Sequence, residues 1–111
     1  MKEGDVALAV MPQADQRGKH RPVIILRELP PYRDLLVCGI SSQVRQPRAE
    51  FDEVISAADP DFRTSGLLAN SLIRLGFLSV LPLGRILGPI GAVSPDRHRR
   101  LLRALASYLT A

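Results

Sequence analysis

Two short tracts hold the residues that could do chemistry. The first is Arg17-Gly18-Lys19-His20-Arg21-Pro22, three cations and a histidine within five residues and beside a glycine. Side chains and backbone N–H groups in such a loop can grip a phosphate. The same tract also reads as a solvated hairpin loop whose cations face water. Pro22 has no N–H, so it suits the first residue of a strand or an edge strand. The second tract, Ser41-Ser42-Gln43, ends the apolar run Leu35-Leu36-Val37-Cys38-Gly39-Ile40. Hydroxyls at a strand end often satisfy only backbone groups. Held rigidly, a hydroxyl and an amide there can instead position a phosphate or a base edge.

Other chemistries lack their residues. His20 and His98 lie far apart and Cys38 is the one cysteine, so no metal-ligand spacing is present and no cofactor is implied. The glycines from Gly84 to Gly91 lack the spacing and the following Lys-Ser/Thr of a phosphate-cradling loop. There is no G-x-S-x-G elbow, and nothing marks a Ser–His–Asp triad. A lone cysteine makes no intramolecular disulfide, which points to a reducing interior, the cytoplasm. The start, Met1-Lys2-Glu3-Gly4-Asp5, lacks the basic-then-apolar pattern of a secretory signal. No apolar run approaches the roughly 20 residues that span a bilayer, so no membrane association is expected. Thirteen Arg and two Lys against eleven acids leave a net charge of +4. The guanidinium fork suits phosphate, so this balance permits a nucleic-acid partner without requiring one.

The elements that must position these tracts are short. With 111 residues the chain is sized for a single domain over 1–111, able to bury roughly two thirds of its unfolded surface. Five aromatic residues and no Trp leave a core of Leu, Ile, Val and Ala. Strands are expected at 5–11, at 23–26 and at 35–41, with a polar loop at 12–19 and a stop at Pro30-Pro31. Residues 44–50 are basic and contain Pro47, a loop. Residues 51–55 suit a short strand with one wet face, 57–64 a turn, and 66–75 another strand. In 76–93, Pro82, Pro89 and the glycines exclude a helix, leaving short strands or an extended arm. Apolar residues within 75–90 suit either a dimer interface or ordinary core.

Ser94-Pro95-Asp96 then supplies a cap, a proline at the first helical position and an acid in the first turn. Leu101, Leu102, Leu105, Tyr108 and Leu109 fall on one helical face. Arg97, Arg99, Arg100 and Arg103 also lie in this helix, as a solvated face or a basic contact surface. Several short strands followed by one amphipathic helix describe a small β-barrel with a helix packed on it.

The order and spacing of the motifs resemble the PemK/MazF family of type II toxin–antitoxin endoribonuclease toxins. The resemblance rests on Gly4-Asp5-Val6 opening a strand and on Gly18-x-x-Arg21-Pro22 leading into Val23-Ile24-Ile25-Leu26. It continues with Ile40-Ser41-Ser42-Gln43, Phe62-x-x-x-Gly66-Leu67, Ser71-x-Ile73-Arg74-Leu75 and Ile90-Gly91. It implies a mainly β fold with α, a small SH3-like β-barrel (Kid/MazF/CcdB-like) with a C-terminal helix. It further implies a homodimer that cleaves single-stranded RNA without a metal and is neutralised by a cognate antitoxin protein. The family's catalytic arginine and hydroxyl residue carry over to Arg21 and Ser41, with Ser where the family usually has Thr. Around that pair, Arg17, Lys19, His20, Ser42, Gln43 and Arg45 are expected to bind RNA. Some relatives place an acid near the position of Ser71, and this chain has none there. That departure keeps open a non-catalytic toxin of the same fold that binds a DNA topoisomerase.

Overall fold

A computed structural model describes residues 1–11, 19–44 and 51–111. The elements run β1 (Asp5–Met11), β2 (Lys19–Leu29), β3 (Asp34–Ser41), β4 (Glu53–Ile55), α1 (Phe62–Ser65), β5 (Ser71–Leu81), a 3₁₀ turn (Leu83–Arg85), β6 (Ile86–Ala92) and α2 (Pro95–Leu109). The six strands form one antiparallel sheet in the order β4-β5-β3-β2-β1-β6. This is the mainly β, barrel-like fold with a C-terminal helix that the sequence led us to expect, with β4 and β6 as its two edges.

The tract Val23-Ile24-Ile25-Leu26 is apolar without interruption because the sheet is buried on both faces and side chains alternate between them. Ile24 and Leu26 join Val6, Cys38, Ile73 and Leu75 in a cluster that also takes Leu101 and Leu105 of α2. Val23 and Ile25 join Ala7, Ala9, Met11 and Val37 in a second cluster on the opposite face. Each fully buried Val, Leu or Ile contributes about 1.5–3 kcal/mol relative to exposure. The two clusters hold the middle of β1, β2 and β3 from both sides, and the ends of those strands carry the polar tracts.

Several elements differ from expectation. β5 begins at Ser71 rather than 66 and continues to Leu81, so 76–81 is sheet. The reason lies at Gly66, the left-handed residue (φ 76°) that ends α1. A Cβ on Gly66 would collide with the Ile90 carbonyl, and one on Gly91 with the backbone at Thr64 and Ser65. These two glycines let α1 press directly onto the free edge of β6, and Thr64 Oγ1 donates to the Ala92 carbonyl across the same seam. The expected turn at 57–64 therefore contains the start of a one-turn helix.

Arg97 overturns the expectation of a solvated basic face. Ser94 caps α2 as expected, its hydroxyl accepting from the Arg97 N–H at 3.1 Å. The Arg97 side chain, however, is buried and grips Asp61 in bidentate fashion, Nε to Oδ2 at 2.8 Å and Nη2 to Oδ1 at 3.1 Å. Nη1 also donates to Glu53 Oε1 at 2.8 Å, and Asp59 lies at 3.4 Å from Nη2. Burial pushes the Asp61 carboxyl up, but the Arg97 fork and the Ser94 N–H outweigh it and hold the group below its ordinary range. This cage ties α2 to β4 and to the loop before α1. Arg99, Arg100 and Arg103 do face solvent. At the other end the buried face stops at Leu105: Tyr108 and Leu109 are exposed, Tyr108 with its ring 5.1 Å from that of Phe51. Among the described residues no helix is long and apolar enough to cross a membrane.

Candidate active site

The basic tract is a strand from Lys19 onward, not a loop. Pairing with β1 sets Met11 opposite Lys19, Val10 opposite His20, Ala9 opposite Arg21 and Leu8 opposite Pro22. Alternation then separates neighbours. Arg21 shares its side of β2 with Val23 and Ile25, while His20 is exposed and faces elsewhere. On the other flank Val23 pairs with Gly39 of β3. Continuing that register two residues sets Arg21 across from Ser41.

Arg21 and Ser41 line one small cavity of about 140 Å³, together with Arg74, Phe77, Gly39 and Met11. Its most informative atom is Arg21 Nε, buried and without a hydrogen-bond partner among the described residues. Buried donors are nearly always satisfied, so this one stands out in a residue that borders the cavity. Ser41 Oγ accepts from the Gln43 N–H at 3.1 Å, which leaves its own proton free to donate. This serine satisfies a backbone group and still offers a donor.

Arg74 is the residue that motif reading passed over as a site residue. It reaches the cavity through an irregularity in β5. Cys38 pairs with Leu78 but its neighbour Gly39 pairs with Arg74, so Leu75, Gly76 and Phe77 form a bulge with no counterpart in β3. The bulge turns the Phe77 ring beneath Gly39, where a Cβ would meet ring atoms at 3.2 and 3.3 Å. The Arg74 guanidinium carbon stands 5.5 Å from the centre of that ring, within cation–π range. Bulges commonly re-aim side chains beside functional sites. Arg74 did appear in the motif Ser71-x-Ile73-Arg74-Leu75, but only the bulge shows where it points.

Two guanidinium groups and a hydroxyl donor thus share a cavity with no carboxylate among its described lining residues. Such a site favours a small multivalent anion and stabilises negative charge that grows on it. A second, larger cavity of about 510 Å³ adjoins the first, with Arg21 and Ile40 in the walls of both. His20, Pro22 and Ser42 line it. Gln43 is exposed and lines neither cavity. Lys19 opens β2. Arg17 and Arg45 lie outside the described residues. Ser71 is buried and its hydroxyl donates to the Ala69 carbonyl at 2.8 Å, a turn contact. Among the described residues no group of three or more His, Cys, Asp or Glu gathers as a metal ion would need.

With this geometry in view, comparison with known proteins is informative. The model of the PemK-like, MazF-like toxins of type II toxin–antitoxin systems matches residues 2–109. Among solved structures, the chain is similar to the Mycobacterium tuberculosis toxin MazF-mt6, with 23% identity over 96% of each chain and a TM-score of 0.67. It is also similar to an endoribonuclease in complex with its cognate antitoxin from a mycobacterial species, with 14% identity and a TM-score of 0.70. That match covers 99% of this chain and 95% of the other. At these identities the likeness is one of fold. A search of curated proteins finds no match.

Proposed function

Because the chain belongs to the PemK-like, MazF-like family of type II toxin–antitoxin toxins, we propose that it is a metal-independent endoribonuclease that cuts single-stranded RNA with sequence selectivity. The observation that carries this reading is the cavity that Arg21, Ser41 and Arg74 share. Cleavage by the RNA's own 2′-hydroxyl forms a bond from that oxygen to phosphorus and breaks the bond to the 5′-oxygen, the hydroxyl proton passing to water and the departing 5′-oxygen taking one from water. Negative charge builds on the non-bridging phosphate oxygens in between. Arg21 stabilises that charge through its guanidinium, whose backbone strand pairing already holds in place. Ser41 donates its free proton to a second phosphate oxygen, and Arg74 adds a second cation. Arginine stays protonated at any working pH, so Arg21 is a charge stabiliser and not the base.

Lys19, His20, Ser42 and Gln43, with Arg17 and Arg45 on the flanking segments, hold the RNA on either side. The protein acts as a homodimer in the cytoplasm and is silenced by a cognate antitoxin. The similarity to a structure of an endoribonuclease with its antitoxin supports that last point. The test is purified protein with a long unstructured RNA in excess EDTA. Cutting is expected, with Arg21→Ala slower by about 10²–10³-fold. Intact RNA, or cutting unchanged in the variant, would overturn the reading. Growth arrest with intact cellular RNA would point instead to the topoisomerase-binding alternative.

A further inference from the structure

Arg74 and Phe77 stand three residues apart in β5. In a regular strand such residues point to opposite faces and lie about 10 Å apart along the chain. Here the Arg74 guanidinium carbon lies over the Phe77 ring, 5.5 Å from its centre, and both residues line the small cavity. The bulge at Leu75, Gly76 and Phe77 is what turns them to one side. The ring itself is held. It packs against the apolar cluster that includes Val23, Val37 and Leu81, and it fills the space that Gly39 leaves by having no Cβ.

How a cation is held sets what it can do. Arg27, Arg33, Arg97, Arg99 and Arg100 each hold a carboxylate. In Arg97 the Nε, Nη1 and Nη2 groups all donate to acids, so its charge is balanced and its fork is occupied. Arg74 has no carboxylate partner among the described residues. It is exposed, and an arginine side chain left unrestrained spreads over many rotamers. An aromatic face attracts a guanidinium through the ring quadrupole and leaves its net charge intact.

We propose that Phe77 is a positioning residue for the anion site: its ring face holds the Arg74 guanidinium beside Arg21 and Ser41 while leaving the charge and the N–H donors of Arg74 to a phosphate. This role rests on reading the small cavity as the phosphate site. A carboxylate in place of the ring would also fix Arg74, but it would repel the phosphate and occupy the same donors. An aliphatic side chain would pack beside Gly39 and offer the cation nothing. Of these three holders, the aromatic ring alone fixes the cation and leaves it ready for growing negative charge.

The experiment replaces Phe77 with mono-, di- and trifluorinated phenylalanine in the full chain. Fluorine draws charge from the ring face while hardly changing its size, so the packing beside Gly39 is kept. Affinity for inorganic phosphate, followed by NMR, and the rate of RNA cleavage should both fall stepwise with each fluorine, by about two- to fivefold in all. Phe77→Leu should lose as much. In an Arg74→Ala background the fluorine series should be flat, a dependence that a merely structural ring would not show. No trend in phosphate affinity along the series, or the same trend without Arg74, would overturn the assignment. A trend in phosphate affinity with RNA uncut throughout would keep Phe77 in this role and overturn the cleavage reading instead. Wild-type protein that binds no phosphate would overturn the anion site and, with it, the role of Phe77.

Discussion

Replacing Arg21 with methionine should make the protein more stable and nearly inactive. In the free protein Arg21 Nε is buried without a partner. A buried donor left unsatisfied costs about 1–3 kcal/mol. The side chain is only half-buried, and one N–H of five is affected, so the bottom of that range, about 1 kcal/mol, is the fitting figure. Methionine fills the same space with an adaptable apolar chain and needs no partner. It also removes one of two like charges from the cavity shared with Arg74. For a domain of this size, 1 kcal/mol corresponds to a rise in Tm of about 4 °C. Cleavage of a fluorogenic RNA should meanwhile fall by about 10²–10³-fold.

The assay is thermal unfolding followed by circular dichroism, run with and without inorganic phosphate. Phosphate should raise the Tm of the wild type by binding the folded state alone, and should raise that of Arg21→Met less. General salting effects act on both proteins and cancel in the comparison. A variant that melts below the wild type, or an equal response of both proteins to phosphate, would refute the reasoning. Either result would mean that the guanidinium is already satisfied and that the cavity is not poised for an anion.

Arg97→Met should destabilise the fold by about 3–5 kcal/mol, because it leaves Asp61 buried without its fork, and a urea melt checks it. The Asp61 carboxyl is held below its ordinary value when folded, so the folded state binds fewer protons than the unfolded chain around that value. Its stabilisation should be full above about pH 4 and lost as pH falls through the folded value, with Asp61→Asn flattening the acid limb of a stability–pH curve. Gly39→Ala should lower cleavage about tenfold by pushing the Phe77 ring, and Arg74 with it, off position, read as a fall in kcat with little change in Tm. Burial pushes the Cys38 thiol up to about 12, so it should resist a thiol reagent at pH 8 until the chain unfolds.

How much of this was legible in the sequence depended on whether the signal was local. The strands at 5–11 and 35–41 and the Ser94-Pro95-Asp96 helix start follow from alternation, apolar runs and capping, all properties of neighbouring residues. The start of β5 was not legible, because an apolar stretch from 66 onward hides a turn that only Gly66 against Ile90 enforces. Arg97 was misplaced for the same reason. Its neighbours on the helix are solvated arginines, and its partners Glu53, Asp59 and Asp61 are more than thirty positions away. Periodicity reports which way a side chain points along its own element but not what waits there.

The site shows the same division, with a consequence for how the chemistry is built. Arg21 and Ser41 were singled out by the resemblance of their tracts to the family's motifs, and antiparallel pairing through Val23 and Gly39 brings them together. Regular pairing, however, delivers only one guanidinium and one hydroxyl. The second guanidinium arrives because β5 abandons its register for three residues, and because Gly39 has no side chain to obstruct the Phe77 ring that follows. A sheet held by apolar clusters on both faces can tolerate this break, and β3 and β5 pair on either side of it. Gly39, Arg74 and Phe77 at the break all line the small cavity. The bulge thus brings Arg74 to the cavity beside Arg21 and Ser41, a placement that the motif Ser71-x-Ile73-Arg74-Leu75 does not disclose.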